Sequence, residues 1–254
     1  MSDFLVYLIP FLLTHVVCDF YLQPNRWIEA KKANTYRSPE LYSHSLLHGV
    51  AMLLPAVVLG IDWHLTAYLV VVVAVSHYLI DLWKVTTSNG DTLTYFVLDQ
   101  ALHIVVLVLA AVYLTGGISL NTVLAHENLP KGIAILFAYL VILKPSSIVI
   151  GSILKNYPIA NVDAEQEPKT GGLVAGGELI GYLERTLILT FTLVGNYAAV
   201  GFVLAAKSIF RFGDLNKSND RSMTEYVLIG SLLSVVMTTV VGILISLAAG
   251  LSSK

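Results

Sequence analysis

The sequence predicts an all-α fold, a polytopic transmembrane bundle of about seven spans, and three observations predict it. Of the 254 residues, 56% are hydrophobic and only 13% are charged, about half the charged share of an ordinary water-soluble domain. The mean hydropathy is +0.75. The apolar residues also fall into runs of roughly 20, the length an α-helix needs to cross the hydrocarbon of a bilayer. What remains suffices for short loops and one longer polar segment, and leaves no room for a large aqueous domain.

By apolar length, the spans lie near Phe4–Leu22, Leu41–Leu59, Ala67–Trp83, Thr94–Leu114, Gly132–Leu154, Leu183–Ala206 and Thr224–Ala248. The first follows Met1-Ser2-Asp3, without a basic flank or a small-residue cleavage pattern, and reads as a retained span rather than a signal peptide. Lys144-Pro145-Ser146-Ser147 interrupts the fifth, so it is kinked or made of two short pieces, because proline removes a backbone donor. The chain divides into a four-helix part (1–115) and a C-terminal part (116–254), and the polar, Gly-rich stretch 156–177 lies within the latter as a linker and the one plausible internal boundary by composition. A membrane-surface turn around Gly177–Arg185 precedes the sixth span, since Glu178–Phe212 is longer than one crossing needs.

Fifteen Lys+Arg against seventeen Asp+Glu point away from nucleic acid as a partner. The single cysteine, Cys18, cannot form an internal disulfide. Arg26, Lys31, Lys32 and Arg37 crowd the first loop, which places it in the cytoplasm and the N-terminus outside. Arg211, Lys217 and Arg221, after the sixth span, disagree if all seven helices cross fully. A re-entrant fifth or sixth segment would restore agreement.

The first four spans each carry two metal-ligand residues at i, i+4: His15 with Asp19, His44 with His48, His77 with Asp81, and Asp99 with His103. That spacing stacks both side chains on one helix face. The pairs lie late in the first span, early in the second, late in the third and early in the fourth, so helices of alternating direction bring all eight to the same leaflet. Five of the seven histidines fall in these pairs. Polar side chains of membrane helices often only hydrogen-bond to one another, but intramembrane ionisable groups are costly and commonly functional. The pattern therefore reads as a metal centre. Asp19, Asp81 and Asp99 contribute −3, and two divalent ions with a bridging hydroxide would balance that charge; imidazole and carboxylate suit zinc, iron or manganese. Gln23 and Gln100 are candidates to orient ligands or substrate. Lys84 and Arg26 are candidates to meet an anion. His64 and His126 read as solvated loop residues.

The strings Thr14-His15-Val16-Val17-Cys18-Asp19-Phe20-Tyr21-Leu22-Gln23, Ser76-His77-Tyr78-Leu79-Ile80-Asp81 and Leu98-Asp99-Gln100-Ala101-Leu102-His103 resemble domain-of-unknown-function family 3307 of bacterial integral membrane proteins. The resemblance extends to Gly177–Arg185, Ala205–Phe212 and Glu225–Gly230. A looser similarity of ligand pattern links the His-x-x-x-Asp helices to membrane-bound metal-dependent hydrolases, and implies hydrolysis. Glu178, Glu184, Arg185 and Lys207 lie in or near apolar surroundings and need partners; Lys144 is a candidate for Glu184 or Glu178.

Three activities are compatible with this pattern. The leading one is a dinuclear hydrolase acting on a lipid or amphiphilic ester or phosphoester at the cytoplasmic leaflet, with Asp19, Asp81 and Asp99 as its catalytic carboxylates. The others are a metal-ion or small-solute transporter and a di-iron lipid oxidase. Membrane lipids are the expected partners of all three.

Overall fold

The computed structural model describes residues 4–116, 131–155, 171–215 and 221–250. Every regular element among them is helical. The chain divides into two compact units, Met1–Phe137 and Ala138–Lys254. The expected linker lies, up to residue 170, outside the described residues, as does His126.

In the first unit α1 (Phe4–Val16) runs directly into a π-helical turn, Val17–Tyr21, closed by a hydrogen bond from the Leu22 amide to the Val17 carbonyl at 3.0 Å. A short polar helix, α2 (Asn25–Asn34), follows. Pro39, whose missing N–H costs nothing in a first turn, opens α3 (Pro39–Ala51), and α4 (Leu53–Val58) extends it into one span, Pro39–Val58. The Asp62 carboxylate accepts the His64 amide at 2.8 Å and caps α5 (Trp63–Thr86); α6 (Leu93–Thr115) returns.

These helices close a ring in which α3 packs on α5, α5 on α6, α6 on α1, and α1 on α3 and α4. The inward faces repeat at steps of four residues: His44, His48, Met52 and Ala56 on α3 and α4; Leu69, Val73, His77 and Asp81 on α5; Asp99, His103, Leu107 and Ala111 on α6. All are buried. Leu8, Phe11, Met52, Leu69, Val73, Leu107 and Ala111 form an apolar half of the core, and the ligand pairs form the other. Outward faces are apolar and exposed, as at Val71, Val75 and Leu79 on α5, the reverse of a water-soluble surface and suited to lipid.

The fifth span, Lys131–Leu154, is two pieces: α7 (Lys131–Ile142), which straddles the unit boundary, and α8 (Lys144–Leu154). They meet at Leu143, whose φ of −80° and ψ of −102° leave the helical region. Here the proline acts as expected. The single crossing expected at Leu183–Ala206 is instead a hairpin of α9 (Gly171–Leu193) and α10 (Tyr197–Leu215), and the surface turn expected around Gly177–Arg185 is continuous helix. Gly195 adopts φ +72°, a conformation side chains disfavour, and Asn196 caps α10 by accepting the Ala199 amide at 3.1 Å. In the second unit, α9 also packs on α11 (Arg221–Ala248), and α11 packs on α8. Glu184 pairs with Lys207 across the hairpin, and Glu178 accepts from the Tyr182 hydroxyl. Among the described residues six segments are long and apolar enough to cross a membrane, namely Phe4–Tyr21, Pro39–Val58, Trp63–Thr86, Leu93–Thr115, Lys131–Leu154 and Glu225–Ala248.

Candidate metal centre

The step of four residues that makes each inward face also sets the ligand layer, because side chains four apart stack one turn above another. On α1 the register is altered. Asp19 sits inside the π-helical turn, where the wider winding of the backbone displaces it from the position a regular helix would give; such turns recur at functional sites. Close approach of α3 to α5 does the rest. A Cβ on Gly49 would lie 2.7 Å from the Val70 carbonyl oxygen and 2.8 Å from the Ala74 Cβ, so only glycine admits this spacing. His48, the preceding residue, consequently stacks on His77 with ring centroids 3.6 Å apart.

Asp19 is the centre of the cluster. One of its oxygens lies 3.0 Å from His44 Nε2, 3.3 Å from His48 Nε2 and 3.7 Å from His77 Nε2. The other lies 2.8 Å from the Gln100 amide nitrogen, which donates to it, and 3.8 Å from His15 Nε2. His77 Nε2 is also 3.8 Å from Asp81, and the His77 and His103 rings are 4.1 Å apart. Ligand atoms of Asp19, His44, His48 and His77 lie within 4.8 Å of one another, as do those of His77, Asp81 and His103. His77 belongs to both groups. His15 and Asp99 stand beside them: His15 lies 3.4 Å from the Gln100 carbonyl oxygen, and Asp99 lies 3.9 Å from His103 Nδ1.

The donor set fits a metal ion by a test that does not depend on spacing. His48 and His103 each have both ring nitrogens buried without a hydrogen-bond partner, and His44 Nδ1, His77 Nε2 and Asp99 Oδ1 are in the same condition. Leaving a buried polar atom unpaired costs about 1–3 kcal/mol, so so many in one layer are best explained by a cation that they surround. Imidazole and carboxylate without thiolate suit zinc, iron or manganese.

Two lysines change the charge balance expected from the sequence. Lys31 is buried on α2 and donates to Asp81 at 2.5 Å, while Lys84 donates to Asp99 at 2.8 Å and lies over the Phe96 ring. With neutral imidazoles, three carboxylates and two ammonium groups leave −1 rather than −3. Charge balance alone therefore does not set the number of ions. Gln100 joins His15, Asp19 and Asp99 through its side-chain amide. The Gln23 amide nitrogen is buried without a partner. Arg26 is exposed, and among the described residues no contact joins it to the cluster; the cation that α2 does deliver is Lys31. Its sequence signal was weak, because it sits among loop charges that also explain topology.

Neither the curated proteins nor the solved structures contain a match to this chain. The family similarity rests on one stretch, which holds all eight ligand candidates and stops short of the C-terminal strings. Residues 7–129 match the model of the family described as a protein of unknown function (DUF3307).

Proposed function

We propose that the protein is a membrane-embedded, metal-dependent hydrolase acting on a lipid or amphiphilic ester or phosphoester at the cytoplasmic leaflet. The observation that carries this reading is the layer of buried, unpartnered imidazole nitrogens converging on Asp19. A divalent ion held there would lower the pKa of water and polarise a phosphoryl or carbonyl oxygen. The chain's own residues bind and orient. Asp19 and the histidines hold the cation, Gln100 fixes the Asp19 carboxylate, and Lys31 and Lys84 supply positive charge on the side of the first loop, where an anionic headgroup would arrive.

An apolar groove of about 360 Å³ between α5 and α6 supports an amphiphilic substrate. It runs past Leu65, Tyr68, Val72 and Leu109 to Ser76, the residue before His77, so a hydrocarbon chain in it would end beside the ligand layer. The basic first loop, with Arg26, Lys31, Lys32 and Arg37, supports a cytoplasmic position for that loop and an N-terminus outside.

The test uses the full chain purified in mild detergent. Elemental analysis should find zinc, iron or manganese, and the loaded protein should cleave a phosphoester or acyl-ester lipid. Asp81→Ala should abolish turnover while the helical content stays unchanged. A metal-loaded preparation that cleaves no such lipid, but moves metal ions into liposomes in an Asp81-dependent manner, would identify a transporter instead. Redox-active iron with an oxygen-dependent absorption change would identify an oxidase.

A further inference from the structure

We infer that Arg185 builds a second binding site, for a phosphate group, within the unit formed by Ala138–Lys254. Arg185 lies on α9 with 5% of its surface exposed. Among the described residues it has no carboxylate partner at ion-pair distance. Its Nη2 donates to the Ser147 hydroxyl at 2.6 Å, its Nη1 reaches the Ser234 hydroxyl at 3.4 Å, and its Nε is buried without a partner. The Tyr182 ring lies 5.3 Å from the guanidinium carbon. Five N–H donors in a rigid fork thus meet two neutral acceptors.

The surroundings are apolar at depth. At 1.5 Å per residue, Ser147 sits about 10 Å inside the Leu154 end of its span, and Ser234 about 14 Å inside the Glu225 end of its own. A permanent cation there is strongly disfavoured unless an anion accompanies it. The nearby acids are engaged elsewhere, Glu184 by Lys207 and Glu178 by the Tyr182 hydroxyl.

The arrangement suits a phosphate in particular. A guanidinium offers parallel N–H groups to two oxygens at once. Ser147 and Ser234 add hydroxyls whose protons can turn to the remaining oxygens of a tetrahedral anion. Ser147 stands four residues past the helix break at Leu143, where membrane helices that stop and restart commonly present polar groups to a solute. The guanidinium packs against Gly181, where a Cβ would approach Nη1 to 3.3 Å and press on the fork. Both free phosphate and a lipid phosphate headgroup have this chemistry.

Equilibrium dialysis of the detergent-purified full chain against radiolabelled inorganic phosphate, with parallel native mass spectrometry in short-chain phosphatidic acid, tests the site. Wild type should bind one of the two saturably. Arg185→Lys, which keeps the charge but loses the fork, should bind at least tenfold more weakly, and Gly181→Ala should weaken binding several-fold. The metal centre is the same in all three proteins, so the difference between them reports Arg185 alone. Saturable uptake of free phosphate assigns a solute site; uptake of phosphatidic acid without free phosphate assigns a headgroup site. Absence of saturable binding of either probe overturns the inference, as does binding unchanged by both substitutions. If Arg185→Lys fails to accumulate, Gly181→Ala and Ser147→Ala decide between the same outcomes.

Discussion

Asp19 gathers three imidazoles on one oxygen and the Gln100 amide on the other, so removing its charge should disperse the cluster more than any other single change. Asp19→Asn keeps the shape and should lower metal affinity by more than about 100-fold, whereas Gln100→Ala, which removes only the orienting amide, should cost about 10–100-fold. Competition against a chromophoric chelator measures both. Lys31 obeys a different logic. Its ammonium compensates a buried carboxylate, and breaking such a pair costs about 3–5 kcal/mol. Lys31→Met should therefore melt at a lower temperature than wild type in chelator, and metal should restore most of the loss, because a bound cation takes over the compensation of Asp81. Thermal unfolding with and without chelator checks the pair of statements. At this scale the six residues whose ligand atoms converge, Asp19, His44, His48, His77, Asp81 and His103, were legible because each belongs to a local pair, four residues apart on one helix. Lys31 was not, because its partner lies 50 positions away in the chain, and nothing in a local pattern encodes which acid a loop lysine will meet.

Among the elements, the approach of α3 to α5 is the one that the centre most depends on. Gly49 has no slack toward the Val70 carbonyl and the Ala74 methyl, and overpacking of this kind typically costs about 1–3 kcal/mol. Gly49→Val should separate the two helices, unstack His48 from His77, and lower both melting temperature and metal content, whereas the same change at Gly201, where a Cβ meets nothing within 4 Å, should leave metal content unaltered. The helices themselves follow from apolar length, and the break at Lys144-Pro145 from proline chemistry. The hairpin was missed because Val194-Gly195-Asn196 is a brief interruption in a long apolar run, and length alone outvoted it. Gly195-Asn196 was the available signal, a glycine able to reach positive φ followed by a capping side chain. The π-helical turn at Val17–Tyr21 had no such signal, since its residues are compatible with an ordinary helix.

For the molecule as a whole, a cation bound only by the folded state adds stability by mass action, about 4 kcal/mol at a thousand times its dissociation constant. Chelation should therefore lower the melting temperature of the wild type and leave that of Asp19→Asn nearly unchanged, which differential scanning fluorimetry in detergent can read. The membrane character and the helical class were written in composition. Where one compact unit ends and the next begins was less so, because loop polarity marks segments of chain, whereas compactness depends on which faces meet.

One small feature makes that centre observable without a substrate. Cys18, the chain's sole thiol, occupies the π-helical turn immediately before Asp19 and is 1% exposed. A thiol so enclosed reacts with an alkylating reagent only when its segment opens. The rate of alkylation is consequently a clock for the breathing of the turn that carries Asp19, and it ticks at one position in the whole chain. A cation gripping Asp19 should slow that clock, turning an untagged native protein into its own reporter of occupancy inside a living membrane.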